Sequence, residues 1–319
     1  MPFEAYKAGQ AVNPSSPTNT SVLKDKSVVV TGGASGLGLA YVRAFASHGA
    51  FVTFGDVNAK AGTQIASELG PSVQFVHCDV TSWSDQLAMF KAAVSNSPAK
   101  SCDIVIANAG IAKTDDVFTV DDVEDPIEPN LDIMRINALG PLYTAKLAMH
   151  YFHRQPETAE RDRCLIVKGS LAAYLDLPGA IQYNVSKFGM RGMVDCLRRT
   201  GWQTGVRVNL IAPWFIATPI LSKEAVSHIA GLGVEFASEG DAAAAVVRVA
   251  CDKGVNGRAL GVVPRSEAPE GWMDLGHDDY AEEDFMQRWQ EGVLRTSHRI
   301  KKPEDQPRGV GPEGFGSKE

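Results

Sequence analysis

Paired cysteines are missing. Five cysteines, at positions 78, 102, 164, 196 and 251, are odd in number and none stands in a Cys-x-x-Cys spacing. That argues against a disulfide framework and a thiolate metal site, and it fits a reducing compartment. Long apolar runs are also missing: no stretch approaches the roughly 18 apolar residues of a membrane span. The stretch from Met1 to Ser21 is polar, carries Pro2, Pro14 and Pro17, and has no signal-peptide core. Positive charge is scarce, with 31 Lys plus Arg against 38 Asp plus Glu and a net charge of −7. The basic stripe that binds nucleic-acid phosphates is therefore not expected. The short pairs Arg198-Arg199 and Lys301-Lys302 read as solvated surface. The seven histidines are dispersed, and His277-Asp278-Asp279 reads as a solvated acidic loop, so no metal is expected. What remains is a cytoplasmic globular protein with neither a nucleic-acid nor a membrane partner.

The chain is 44% hydrophobic and holds 30 glycines, a composition that supports a sizeable core and many tight turns. Short β-branched runs alternate with helical patterns. Ser27 to Thr31 reads as a strand buried on both faces, followed by a glycine turn and a helix from Leu37 to His48. Further strands are expected at 51–54, 73–76, 103–107, 164–167, 206–211 and 259–263. Helices are expected at 59–69, 84–95, 131–153, 181–203, 242–251 and 281–294. The alternation predicts an α/β fold, a doubly wound parallel sheet (Rossmann fold) of about seven strands in a single domain. Residues 1–23 read as a flexible arm, 24–265 as the catalytic domain, and 266–319 as an extension with one helix and a tail disordered from about Pro303.

The turn Thr31-Gly32-Gly33-Ala34-Ser35-Gly36-Leu37-Gly38 lies between the first strand and first helix. Glycines there let backbone N–H groups approach a pyrophosphate at the helix N-terminus. Asp56, ending the second strand, matches the acid that binds the adenosine ribose hydroxyls, and no Lys or Arg beside it would receive a 2′-phosphate. The expected cofactor is NAD rather than NADP. Tyr183-Asn184-Val185-Ser186-Lys187 places a phenol and an amine on one helix face. An adjacent cation is expected to favour the phenolate, which makes Tyr183 the acid/base for hydride transfer at an alcohol carbon.

Together these motifs resemble the short-chain dehydrogenase/reductases over roughly residues 24–265. The glycine spacing Thr-Gly-x-x-x-Gly-x-Gly is similar to the branch with a core of about 250 residues. The resemblance implies cofactor contacts from Gly32, Ser35, Gly36, Leu37 and Gly38, from Asp79 and Val80 after the third strand, and from Asn108-Ala109-Gly110 after the fourth. Pro213-Trp214-Phe215-Ile216-Ala217-Thr218 occupies the place of the family's Pro-Gly loop, where Pro213, Ile216 and Thr218 would border the nicotinamide. Trp214 stands where Gly is usual, which puts the local backbone in question. Tyr183 and Lys187 would act as acid/base and cofactor ligand, Ser170 would hydrogen-bond the substrate oxygen, and Asn137 would help hold a water linking Lys187 to solvent. The preceding Lys168-Gly169 departs from the family's common spelling.

The residues expected to line the substrate pocket are apolar: Ile111, Leu175, Leu177, Trp214, Phe215, Ile220 and Leu221. Of these, Leu175, Trp214 and Phe215, with Ser170, are the expected substrate contacts. They favour a lipophilic secondary alcohol or ketone. The arm and the stretch from Glu267-Ala268-Pro269 to Asp278-Asp279-Tyr280 resemble the family's fungal members of polyketide and terpenoid pathways. The family's habit of pairing through its two long helices implies a homodimer or homotetramer. Two other classes are open at this point: a catalytically idle NAD-binding regulatory protein, and an NAD-dependent epimerase or dehydratase.

Overall fold

The β-branched runs of the sequence become the strands of one sheet. The structure, a computed structural model, describes residues 10–155, 162–281 and 284–297. The strands are β1 (Ser27–Thr31), β2 (Phe51–Asp56), β3 (Val73–His77), β4 (Ile104–Ala107), β5 (Cys164–Lys168), β6 (Arg207–Pro213), β7 (Ala259–Val262) and β8 (Trp272–Asp274). Their order across the sheet is β3-β2-β1-β4-β5-β6-β7-β8. Neighbours from β3 through β7 run parallel and β8 runs antiparallel to β7. The sheet thus has eight described strands rather than about seven. The additional one is three residues long, too short for its alternation to register in the sequence.

The helices are α1 (Gly36–Ser47), α2 (Ala59–Leu69), α3 (Trp83–Asn96), α4 (Asp132–Met134), α5 (Gly140–His153), α6 (Ile181–Gly201), α7 (Lys223–Gly231), α8 (Glu239–Cys251) and α9 (Phe285–Thr296). Because side chains alternate along a strand, β1 feeds two cores. Val28 and Val30 pack with Tyr41 and Phe45 of α1 and Val246 of α8. Val29 packs on the opposite face with Met89 of α3, Phe152 of α5 and Met190 of α6. Each such fully buried side chain contributes about 1.5–3 kcal/mol through area removed from water. The helix expected over 131–153 is interrupted: a π turn at Arg135–Leu139 separates α4 from α5.

Three expectations change in the structure. From residue 10 onward the arm read as flexible is docked: Val12 is buried, and its N–H donates to Asp274 Oδ2 at 2.7 Å. Ser15 reaches Glu270, and Arg248 donates to the Ser16 carbonyl. Arg198 is not solvated surface but 2% exposed, donating to the Gly257 carbonyl at 2.8 Å and pairing with Asp279 at 3.3 Å. A guanidinium with five donors tolerates burial when carbonyls and carboxylates surround it. Within the acidic loop His277 and Asp279 are exposed, but Asp278 is held by protein partners. Asp278 accepts from Tyr174 Oη at 2.8 Å and Arg191 Nε at 2.5 Å, while Arg258 holds Asp274 at 2.7 Å. The expected disordered tail, and the Lys301-Lys302 pair before it, lie outside the described residues.

Candidate active site

The chain reverses its winding direction between β1 and β4, and the strand ends diverge there. Thr31 Oγ1 accepts from the N–H groups of Asn108 (2.9 Å) and Ala109 (3.0 Å). Asn108 Nδ2 donates back to the carbonyls of Thr31 (2.8 Å) and Gly32 (3.1 Å). These bonds lock the glycine turn onto the β4 loop. Gly32 and Gly36 have φ of +66° and +49°, conformations that L side chains resist. A side chain at Gly38 would run into the Gly32 carbonyl and Asn108. Ser35 precedes α1 without a side-chain cap bond, so its hydroxyl remains free to serve a ligand beside the helix N-terminus.

A cavity of about 530 Å³ runs along these strand ends. Gly32, Ser35, Gly36, Leu37 and Gly38 line it, with Asp56, Asp79 and Val80 from the β2 and β3 ends and Asn108, Ala109 and Gly110 from the β4 loop. Asp56 accepts from Ala34 N at 3.0 Å and Asn58 N at 2.9 Å, which fixes its carboxylate against the glycine turn. Asp79 is fixed likewise by Thr81. The buried Asn108 Oδ1 has no protein partner. A glycine cradle, a helix N-terminus, a fixed carboxylate and an orphaned acceptor together fit a dinucleotide.

The other half of the wall carries Ser170, Tyr183, Pro213, Ile216 and Thr218, flanked by Leu175, Trp214 and Phe215. Ile111, Leu177, Ile220 and Leu221 line it too. The start of α6 is held by Asp115, whose carboxylate accepts from Gln182 N at 2.5 Å. Hydrogen bonds from Gln182 and Val117 outweigh the effect of burial on Asp115 and keep its carboxyl below the ordinary range. Tyr183 follows directly, with the Ser170 side chain near enough to its hydroxyl to favour the phenolate. Ser170 Oγ accepts from Ala172 N at 3.1 Å, while Asn184 Nδ2 pins the same loop through the Ala172 and Leu175 carbonyls at 2.8 and 3.0 Å.

One turn along α6, Lys187 Nζ lies 5.4 Å from the Tyr183 ring centroid and donates to the Lys168 carbonyl at 3.4 Å. Burial lifts the Tyr183 phenol above its usual range, with Ser170 pulling the other way. Burial also drops the Lys187 amine well below its usual range, helped by the charge of Lys168. The expected lowering of the phenol by an adjacent cation is therefore not what dominates. Desolvation disfavours both charged forms, and it wins. Asn137 and Lys187 stand behind the cavity wall. Asn137 sits in the π turn, where Oδ1 accepts from Ile111 N and Nδ2 donates to Ile111 O, both at 2.8 Å.

Compared with protein families, residues 26–228 match the model described as short chain dehydrogenase. The chain belongs to the short-chain dehydrogenase family. A 5'-hydroxyaverantin dehydrogenase from Dothistroma septosporum is 38% identical over 82% of this chain and 91% of its own length. An NADP-dependent dehydrogenase from Phoma sp. is 32% identical over 78% of this chain and 78% of its own. Among solved structures, a 3-ketoacyl-(acyl-carrier-protein) reductase from Brucella melitensis, complexed with NADH, superposes with a TM-score of 0.65 at 24% identity. It covers 75% of this chain and 97% of the other, and it shares the fold. As a short-chain dehydrogenase the chain is an oxidoreductase. Trp214 avoids the backbone strain its position raised, because Asp25 and Lys100 are the described non-glycine residues with positive φ. Instead it packs edge-on against Phe215 and donates through Nε1 to the Glu235 carbonyl. Sequence reasoning missed Asp115, Asn184 and Lys168 as parts of the site. Lys168 had a visible signal, a charge ending the apolar run Cys-Leu-Ile-Val.

Proposed function

We propose that this oxidoreductase moves a hydride between NAD(H), preferred over NADP(H), and a lipophilic secondary alcohol or ketone of the kind handled in polyketide or terpenoid pathways. The observation that carries the reading is Tyr183 and Ser170 together on an apolar cavity wall, with Lys187 one helical turn along α6. A dinucleotide held along the glycine turn, with its nicotinamide beside Pro213, Ile216 and Thr218, would supply the hydride acceptor. In oxidation Tyr183 Oη takes the alcohol proton, and in reduction it returns it. Ser170 Oγ donates to the substrate oxygen and steadies charge on it in the transition state. Lys187 provides the neighbouring proton site and a ligand for the cofactor ribose. Asn137 has its side chain committed to Ile111, so on this reading it holds the β4 loop, and any water it keeps for the relay must use its remaining groups.

The NAD preference rests on Asp56. Its carboxylate would face a 2′-phosphate, and the basic residues lining the cavity, Lys113 and Lys168, belong to the β4 and β5 side. The lipophilic substrate rests on Leu175, Trp214, Phe215 and their apolar neighbours. A cytoplasmic homodimer or homotetramer completes the proposal, supported by Leu142, Val185 and Phe188, which α5 and α6 leave exposed. Tyr183→Phe removes only the hydroxyl, so the fold and NADH binding (read by fluorescence) should persist while kcat falls by about 10²–10⁴. Near wild-type oxidation by the folded variant would sink the reading. Stoichiometric NADH formation separates this activity from an epimerase, which returns its cofactor unchanged.

A further inference from the structure

Between β6 and α8 the chain leaves the sheet and returns through a narrow neck, and residues 217–234, which include α7, form a flap beyond it. On the outgoing side the Trp214 N–H is anchored to the Val262 carbonyl of β7 at 2.8 Å. On the returning side the Ala237 N–H donates to the Phe215 carbonyl at 2.9 Å, and Ile216 pairs with Ala237 in a parallel bridge. Across the neck the Trp214 indole Nε1 donates to the Glu235 carbonyl at 3.2 Å, with its ring edge-on to Phe215 at 4.8 Å. Ser266 Oγ donates to the Glu235 carboxylate. Neither Glu235 nor Ser266 is among the residues lining the cavity. Beyond the neck α7 buries none of its residues. Among the described residues no hydrogen bond joins 219–234 to the chain outside the flap. The first residues of the flap nonetheless face both ligands. Thr218 lies 3.2 Å from the point that a Cβ on Gly36 would occupy, while Ile220 and Leu221 line the cavity.

We propose that Trp214 is a positioning residue that sets substrate specificity: its indole N–H closes the neck, and the closed neck holds Ile220 and Leu221 in place against a bulky lipophilic substrate. The inference rests on the oxidoreductase reading of this cavity. A flap ordered before the substrate arrives does not draw on binding energy to become ordered. The affinity it adds scales with the apolar substrate surface that Ile220 and Leu221 cover, so a small alcohol that does not reach them gains nothing. Gly, the residue usual at this position, supplies neither the ring nor the N–H. The two roles open to Trp214 have different requirements. A cavity wall needs only an apolar ring, whereas the neck needs the N–H.

The test is hydrogen exchange of the flap amides and of Ala237 in protein saturated with oxidised NAD. It is paired with affinity for 2-acetylnaphthalene, a lipophilic ketone that the oxidised cofactor cannot reduce. Trp214→Phe keeps the ring and removes the N–H; Ser266→Ala loosens Glu235 from outside the cavity. In Trp214→Phe these amides should exchange about two- to fivefold faster, the range of one surface hydrogen bond. Ser266→Ala should move them the same way by less, with the core strands exchanging as in the wild type. The ketone should bind more weakly by a similar factor. In turnover, KM for 1-(2-naphthyl)ethanol should rise more than KM for 2-propanol, and kcat should fall by less than KM rises. Flap exchange unchanged in Trp214→Phe overturns the proposal and leaves Trp214 a cavity wall. So does a wild-type Ala237 amide that exchanges as freely as in an unfolded chain, which is decisive even if a variant does not fold. Exchange needs no turnover, so its failure is distinct from failure of the oxidoreductase reading.

Discussion

Burial sets Tyr183 and Lys187 against each other's charged forms, raising the phenol and lowering the amine. Desolvation thus disfavours the phenolate and the ammonium alike. Of the groups acting on Tyr183, Ser170 is the one that favours the phenolate, so the serine serves the acid/base as well as the substrate oxygen. Asp56 works at the same scale on the cofactor. Its carboxylate is held by two backbone N–H groups and is not free to swing away from a phosphate. NAD should accordingly be preferred over NADP by at least about tenfold in kcat/KM, equivalent to about 1.4 kcal/mol. In Asp56→Ala that ratio should shrink, chiefly through better use of NADP. Equal efficiency of the wild type with both cofactors would contradict the assignment.

Elements carry these residues into place, and α6 carries most. Its first turn is fixed by Asp115, which lies 67 positions earlier in the chain, so the position of Tyr183 depends on a carboxylate outside its own helix. The folded-state carboxyl of Asp115 is depressed. Its stabilisation is then complete above the ordinary carboxylate value of about 4 and is lost as pH falls through the lower folded value. Asp115→Asn should lower Tm at neutral pH by the equivalent of about 0.5–2 kcal/mol, a helix-cap loss. Thermal melts of the two proteins should converge in acid; a gap that stays constant down to pH 3 would show that charge is not involved. The helix itself, and the glycine turn before α1, were legible from spacing and periodicity, because they are local. Asp115 was not, since nothing in its neighbourhood names Gln182 as its partner. The π turn was hidden for a related reason. Residues 131–153 are apolar enough to read as one helix, and the slip in phase appears only when Asn137 turns in to meet Ile111.

At the scale of the whole molecule, the segment after β8 clasps the catalytic half. Asp278 joins Arg191 on α6 to Tyr174, four residues past Ser170, and Arg191 also stacks on the Tyr174 ring at 4.2 Å. Asp278→Ala should cost about 2–3 kcal/mol, less than a fully buried pair because Arg191 is partly exposed. It should also lower kcat by loosening the Ser170 loop. A variant that melts earlier but turns over normally at low temperature would confine the clasp to stability. The docked stretch from residue 10 onward has a different consequence. Val12 is bonded to Asp274, Ser15 to Glu270 and Arg248 to Ser16, contacts separated by 262, 255 and 232 positions. None of them exists until the partner segments around 248–274 have been synthesised, so a growing chain carries this stretch undocked while β1 to β6 are already available to pair. Seating of residues 12–16 is then among the last events of folding on the ribosome. The amide of Val12, slow to exchange in the finished protein, should be fully open in nascent chains halted before residue 248.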